Sequence, residues 1–223
     1  RGYEIGRRLL EEAAQAGVEL ALGWRVWGIF PDGSVTATNE EKSQRYWGKK
    51  IILATGATEN ALSFPGCTLP GVMTAGAAQT LANVGHVLPG REIVMVGSGN
   101  VGLIVSYQLM QAGARVRAIV EALPHLSGYA VHAGKVRRAG VPILFSHTVR
   151  RAIGTRQLEA VELCALDAQG RPGDEPVQVI PCDTLCLAVG LNPRVELAVA
   201  AGCKMVWSKA LGGVLPWHSR ALE

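Results

Sequence analysis

Two features of this sequence could do chemistry with a nucleotide. The first is the loop Gly97-Ser98-Gly99-Asn100-Val101-Gly102, a G-x-G-x-x-G pattern, and the second is Glu121 beyond it. In such a loop the first glycine lets the chain turn tightly after a strand. The second removes a side chain so that a pyrophosphate can approach the backbone, and the third lets the following helix pack closely on the sheet. A helix that starts in this loop offers free N–H groups and a partial positive charge to phosphates. Ser98, Asn100 and Val101 fill the remaining loop positions and belong to the same candidate site. A carboxylate such as Glu121 at the tip of the next strand can accept both hydroxyls of an adenosine ribose and would repel a 2′-phosphate. The residues after it, Ala122, Leu123 and Pro124, include no arginine to receive one, which favours NAD(H) over NADP(H). Two plainer readings stand beside these: a glycine turn that only packs, and a solvated strand-end acid.

The elements around these residues agree with a nucleotide site. The run Ile93-Val94-Met95-Val96 predicts a strand into the loop. A helix is expected after it, with Val101, Val105, Leu109 and Ala112 on one face and Gly113 at its end. A second strand is expected over 114–120. Further on, the pattern predicts a helix over 132–139 stopped by Gly140, a strand over 141–146, and two strands within 149–166 around a turn at Gly154. Strands over 177–180 and 183–189 and a short helix over 195–201 complete this part. Upstream, residues 75–83 read as a small Ala-rich helix, and the stretch Phe64 to Gly71 as a crossing between domains. The first 56 residues read as an amphipathic helix stopped at Gly17, a strand over 18–22, and a three-stranded meander over 25–30, 34–38 and 47–54.

Composition removes several function classes. Hydrophobic residues make up 48% of the 223, so the chain can bury a core and is not disordered. Lys and Arg number 22 against 18 Asp and Glu, and the basic residues are scattered rather than gathered in a stripe, so no nucleic-acid footprint is present. The five cysteines have no C-x-x-C spacing, which argues against a redox dithiol or a zinc knuckle; reduced thiols in a cytoplasmic protein are expected. The histidines have no metal spacing, and no metal site is expected. No apolar run is long enough to span a membrane. Ser98 lacks the G-x-S-x-G context of a hydrolase nucleophile, and no Tyr-x-x-x-Lys follows the glycine loop as a short-chain dehydrogenase would require.

Order along the chain carries a resemblance. The strand Ile51-Ile52-Leu53 runs into Ala54-Thr55-Gly56-Ala57 before the glycine loop, and Leu185-Cys186-Leu187-Ala188-Val189-Gly190 closes after it. With these motifs the sequence resembles the two-dinucleotide flavoproteins of the pyridine nucleotide-disulfide oxidoreductase class. The segment from Phe64 through Thr80 is similar, more narrowly, to the FAD subunits of amine and amino-acid dehydrogenases, among them proline dehydrogenase, opine oxidase and hydrogen cyanide synthase. The resemblance implies an α/β fold: a Rossmann-like, doubly wound NAD-type domain, with a parallel sheet and a β-meander, inserted in a truncated FAD-binding domain. Its implied bounds are 1–66 for the partial FAD domain, 67–192 for the NAD(P)H-type domain and 193–223 for the return. It implies FAD contacts at Ala54, Thr55, Gly56 and Ala57, and adds Val189 and Gly190 to the NAD-type site.

The same resemblance implies hydride transfer between NAD(H) and FAD in the full-length protein, with other dehydrogenase subunits or a second copy of the chain as partners. No side-chain acid or base is needed for that step, so no catalytic residue is assigned. The chain lacks a second glycine fingerprint before Ala54 and a late Gly-Asp strand end, and is therefore expected to be an internal piece. It also lacks the redox cysteine pair of the disulfide reductases. A different class of function fits the loop equally well: a module that binds ATP or NAD in a structural or regulatory role.

Overall fold

In the computed structural model, which describes residues 2–208, 211 and 213–220, helices and strands alternate through the middle of the chain. In chain order the elements are α1 (Gly2–Gln15), β1 (Arg25–Ile29), β2 (Ser34–Thr38), β3 (Ser43–Trp47), β4 (Ala57–Glu59), β5 (Val72–Thr74), α2 (Ala75–Asn83), β6 (Glu92–Val96), α3 (Asn100–Gln111), β7 (Arg115–Glu121), α4 (Ala130–Arg138), β8 (Ile143–Phe145), β9 (His147–Ile153), β10 (Ala160–Ala165), β11 (Gln178–Pro181), β12 (Thr184–Leu187), β13 (Leu191–Pro193), α5 (Glu196–Ala200), β14 (Met205–Ser208) and β15 (Gly213–Pro216). They divide into two units, Ala57–Asn192 and Arg1–Gly56 with Pro193–Glu223.

The unit Ala57–Asn192 is built on a parallel sheet in the order β5-β12-β6-β7-β8. Strand side chains alternate between faces, and here both faces are buried. Ile93 and Met95 of β6 point into one cluster with Ala78 of α2, Leu103 and Leu109 of α3 and Val136 of α4. Val94 and Val96 point the other way, onto the antiparallel sheet β11-β10-β9, where they meet Val149, Val161, Leu163 and Ile180. Each fully buried Ile or Leu in these layers contributes about 1.5–3 kcal/mol. The expected parallel sheet and meander are thus both formed. Strand β5 was not foreseen, because a three-residue edge strand is too short to show a period. The segment Phe64 to Gly71 lies inside this unit, with Phe64 buried against the meander.

One helical face needs correction. Val101 is 42% exposed, and the buried face of α3 is formed by Gly102, Leu103, Val105, Ser106 and Leu109. The loop turns the first residue of the expected stripe outward, so the apolar face begins two residues later.

The unit Arg1–Gly56 with Pro193–Glu223 contains α1, the antiparallel sheet β1-β2-β3, α5 packed on β1, and the hairpin β14-β15. Gly17 ends the α1 region in the left-handed conformation, as its position suggested. Two expected strands are absent. Residues 18–22 form none, and the third strand of the meander is Ser43–Trp47 rather than 47–54. The cause is the turn before it. Oδ1 of Asn39 accepts the N–H groups of Glu41 and Lys42, and this tight turn sets Ser43 opposite Thr38 and Trp47 opposite Ser34. Ile51, Ile52 and Leu53 pair with no strand among the described residues, and Ile52 is 91% exposed.

Candidate functional site

The glycine loop leaves the carboxyl end of β6, and β7 and β12 flank it. Gly97 sits at φ +101°, and its N–H donates to the Val120 carbonyl at 2.7 Å. A Cβ at Gly97 would overlap the carbonyl oxygen of Ala188, just past β12. A Cβ at Gly102 would overlap the carbonyl oxygen of Gly97. Both glycines are therefore required by the chain itself. Gly99 is different. It is the N-cap of α3 with φ −64°, an ordinary conformation, and a Cβ there would find no atom nearer than the Ser127 hydroxyl at 4.0 Å. The first intrahelical bond runs from the Leu103 N–H to the Gly99 carbonyl, and no side chain caps the helix. The N–H groups of Asn100, Val101 and Gly102 precede that bond and carry the positive end of the α3 dipole.

Glu121 ends β7 beside this loop, as its position suggested, but it is not solvated: it is 5% exposed. Its Oε2 accepts the Ser98 N–H at 2.8 Å, the Ser98 hydroxyl at 2.5 Å and the Ser127 hydroxyl at 2.8 Å; its Oε1 accepts the Leu123 N–H at 2.9 Å. Burial alone would raise its pKa. The bonds from Leu123, Ser98 and Ser127 outweigh burial and hold the carboxyl below its ordinary value. The other buried acid of this unit, Glu162, is paired instead with Arg150 and Arg151 on the meander.

The segment that follows Glu121 also belongs to the site, which the sequence motifs did not indicate. The Ser127 N–H donates to the Ser98 hydroxyl at 3.2 Å, and the Tyr129 N–H to Oδ1 of Asn100 at 2.8 Å. Between them Gly128 lies so close that a Cβ would come within 2.7 Å of the Ser98 carbonyl oxygen. The available signal was the Ser127-Gly128 pair just ahead of α4, a turn signature of the kind that marks close backbone approach.

Val189 and Gly190 leave the same rim of the sheet from the neighbouring strand β12. Val189 packs against the meander-side core. Gly190, at φ +118°, gives its carbonyl to the Asn60 N–H at 2.9 Å. In the other unit Ala54 to Gly56 are exposed, and Thr55 donates its hydroxyl to the Arg194 carbonyl at 2.9 Å. Ala57 opens β4, whose last residue, Glu59, caps α2 by accepting the Gly76 N–H at 2.7 Å.

Among the described residues no group of three or more His, Cys, Asp or Glu could hold a metal, and no helix is long and apolar enough to cross a membrane. The five cysteines are unpaired. Burial pushes the thiols of Cys182 and Cys186 up to about 12, so neither is a ready thiolate.

A strand, a glycine turn, a helix start and a strand-end acid, set on a parallel sheet backed by a meander, define a dinucleotide-fold protein. Residues 3–212 match the pyridine nucleotide-disulphide oxidoreductase family model, and the chain belongs to that family. It is 29% identical over 244 residues to an opine oxidase subunit of Rhizobium meliloti, an alignment that takes in 99% of this chain and 51% of the relative. It is 29% identical over 202 residues to hydrogen cyanide synthase subunit HcnB of Pseudomonas aeruginosa, covering 83% of this chain and 43% of the relative. The fold matches L-proline dehydrogenase from P. horikoshii with a TM-score of 0.62 at 21% identity, over 96% of this chain and 37% of that one. The chain thus spans about half the length of the relatives it matches.

Proposed function

We propose that Ala57–Asn192 binds NAD(H) on the glycine loop, and that the whole protein is an FAD-dependent oxidoreductase subunit of an amino-acid or amine dehydrogenase. One observation carries the nucleotide reading: Gly97 and Gly102 are required by the chain, and Gly99 is not. A glycine with room for a side chain, at the uncapped start of a helix, leaves a cradle that a phosphate fits and a Cβ would partly fill. The N–H groups of Asn100, Val101 and Gly102 would hold the pyrophosphate. Val189 and Gly190, at the same rim, would border the rest of the dinucleotide. The bounds implied by the resemblance put 1–66 and 193–223 on the FAD side and 67–192 on the NAD side; residues 57–66 fall in the unit Ala57–Asn192, so the proposed NAD side begins at 57. Ala54, Thr55, Gly56 and Ala57 would touch the flavin nucleotide.

When bound, NAD(H) and FAD would supply the redox chemistry, hydride exchange between them; the chain would supply binding and orientation. Relatives that are themselves subunits support other subunits as partners. Five unpaired cysteines fit a reducing, cytoplasmic setting.

A second reading rests on the same uncapped helix start. Its N–H groups hold phosphates whichever adenine nucleotide carries them, so ATP in a structural role fits as well as NAD. Titration of the chain with NADH and with ATP, each against Gly99→Val, tests both. Loss of binding in the variant is expected, and normal binding would overturn the phosphate-loop assignment. Stronger binding of ATP than of NADH would favour the second reading.

A further inference from the structure

We propose that Glu121 is a positioning residue, which fixes the glycine loop through Ser98 and Ser127, and that its carboxylate does not read the adenosine ribose. This rests on the nucleotide reading above and deepens it. A carboxylate only accepts, and Oε2 already takes three donors while Oε1 takes one. Both serine hydroxyl protons are spent on Oε2, so the 3.1 Å approach between the two serine oxygens is an organised consequence of the shared carboxylate. Ser98 is fully buried and Glu121 nearly so. A ribose hydroxyl that took Oε2 would leave the Ser98 N–H and hydroxyl without partners in a buried site, and that loss exceeds the gain of one new bond. Oε1 takes the Leu123 N–H and belongs to a side chain only 5% exposed, so it offers a ribose little surface.

The bonds from this carboxylate lead to the phosphate cradle. Ser98 and Asn100 flank Gly99. Ser98 is tied to Glu121 and Ser127, and Asn100 is tied by its side chain to the Tyr129 N–H. Gly128 packs on the backbone between these ties, 3.0 Å from the Asn100 nitrogen if a Cβ is added. The segment from Glu121 to Tyr129 therefore holds the phosphate-binding backbone from both sides of its open glycine. The carboxylate acts on a nucleotide through the loop it fixes. The segment 122–129 carries no lysine or arginine, and His125 is its one titratable base.

The experiment measures the affinity of the 223-residue chain for ADP and for 2′-deoxy-ADP, in the wild type, Glu121→Gln and Ser127→Ala. A positioning role predicts that Glu121→Gln weakens both ligands by the same factor, about tenfold, and leaves their ratio at the wild-type value. Ser127→Ala, which removes one hydroxyl and leaves the carboxylate, weakens both by about fivefold, again at constant ratio. A wild-type preference for ADP that collapses in Glu121→Gln would overturn the inference and restore the ribose role. Full wild-type affinity in Ser127→Ala would overturn it too. Wild-type protein that binds neither ligand would instead sink the nucleotide reading, and the positioning role with it.

Discussion

The two units of this chain differ in what their apolar residues touch. In Ala57–Asn192 the strands β6, β7 and β12 are buried on both faces, between helices on one side and a meander on the other. In Arg1–Gly56 with Pro193–Glu223, α1 has no buried residue although it is clearly amphipathic, and β3 is exposed along its whole length. Leu9, Leu10, Trp27, Trp47 and Ile52 are all more than half exposed. An apolar pattern reports what a segment is suited to bury. Whether it is buried depends on a partner surface, and only the first unit supplies one on every side.

The largest expected effect tests that contrast directly. Leu163 of β10 is fully buried in the meander-side core. Leu163→Ala should lower the stability of its unit by about 2–5 kcal/mol, through lost burial and the cavity left behind. Urea unfolding followed by a probe within Ala57–Asn192 measures it. A loss well under 1 kcal/mol would mean that the meander does not close this face of the sheet in solution.

The next effect separates two glycines of one loop. Gly102→Val should destabilise the unit, because any Cβ there meets the Gly97 carbonyl. Gly99→Val should cost only about 1 kcal/mol of stability, as a poorer N-cap for α3, and weaken NADH binding by roughly a hundredfold, since the side chain fills the phosphate's approach. Calorimetric titration beside thermal melts distinguishes them. Two variants that behave alike would break the distinction between a packing glycine and a binding glycine.

The glycine loop, β6, α3, β7 and α2 were legible in the sequence to within a residue or two, because strong local signals coincide there: a short apolar run, a glycine turn and a helical period. Less was legible wherever a distant partner decides. Edge strand β5 exists because β12 lies beside it. Residues 51–53 are as rich in β-formers as any strand of the sheet, yet they form none without a neighbour to bond. Within the candidate site, Glu121 was legible as a strand-end acid. Its ties to Ser98 and Ser127 were not, because the chain returns to the loop through a turn whose geometry no spacing rule encodes.

The Glu121 clamp gives a smaller effect with a pH signature. The carboxylate's folded pKa is held below its ordinary value, so its contribution is fully present above the unfolded pKa, near 4.5. That contribution is lost as pH falls through the lower folded pKa. Glu121→Gln should therefore destabilise Ala57–Asn192 by roughly 1–3 kcal/mol at neutral pH, because it leaves buried donors poorly paired. The difference from wild type should shrink only below pH 4.5. A difference that is constant from neutral pH to well below that value would show that the charge on Glu121 plays no part in holding the loop.

The smallest effect is expected where the sequence pattern looks strongest. α1 carries Leu9 and Leu10 on its apolar stripe, and its ion pairs Arg7–Glu11 and Arg8–Glu12 are exposed and worth a few tenths of a kcal/mol each. A fourteen-residue helix with no buried side chain lacks the tertiary packing that sustains most helices of its length. Leu9→Ala and Leu10→Ala should thus change the stability of this chain by less than about 0.5 kcal/mol, against several for Leu163→Ala. Amide exchange should be fast along α1 and slow along α3, whose Leu103, Val105 and Leu109 are buried. Slow exchange in α1, or a loss of more than about 1 kcal/mol in Leu9→Ala, would show that its stripe is covered in solution. A second copy of the chain is then the first candidate for the cover. Sedimentation of the wild type beside Leu9→Ala would reveal it as a dimer that the substitution dissociates.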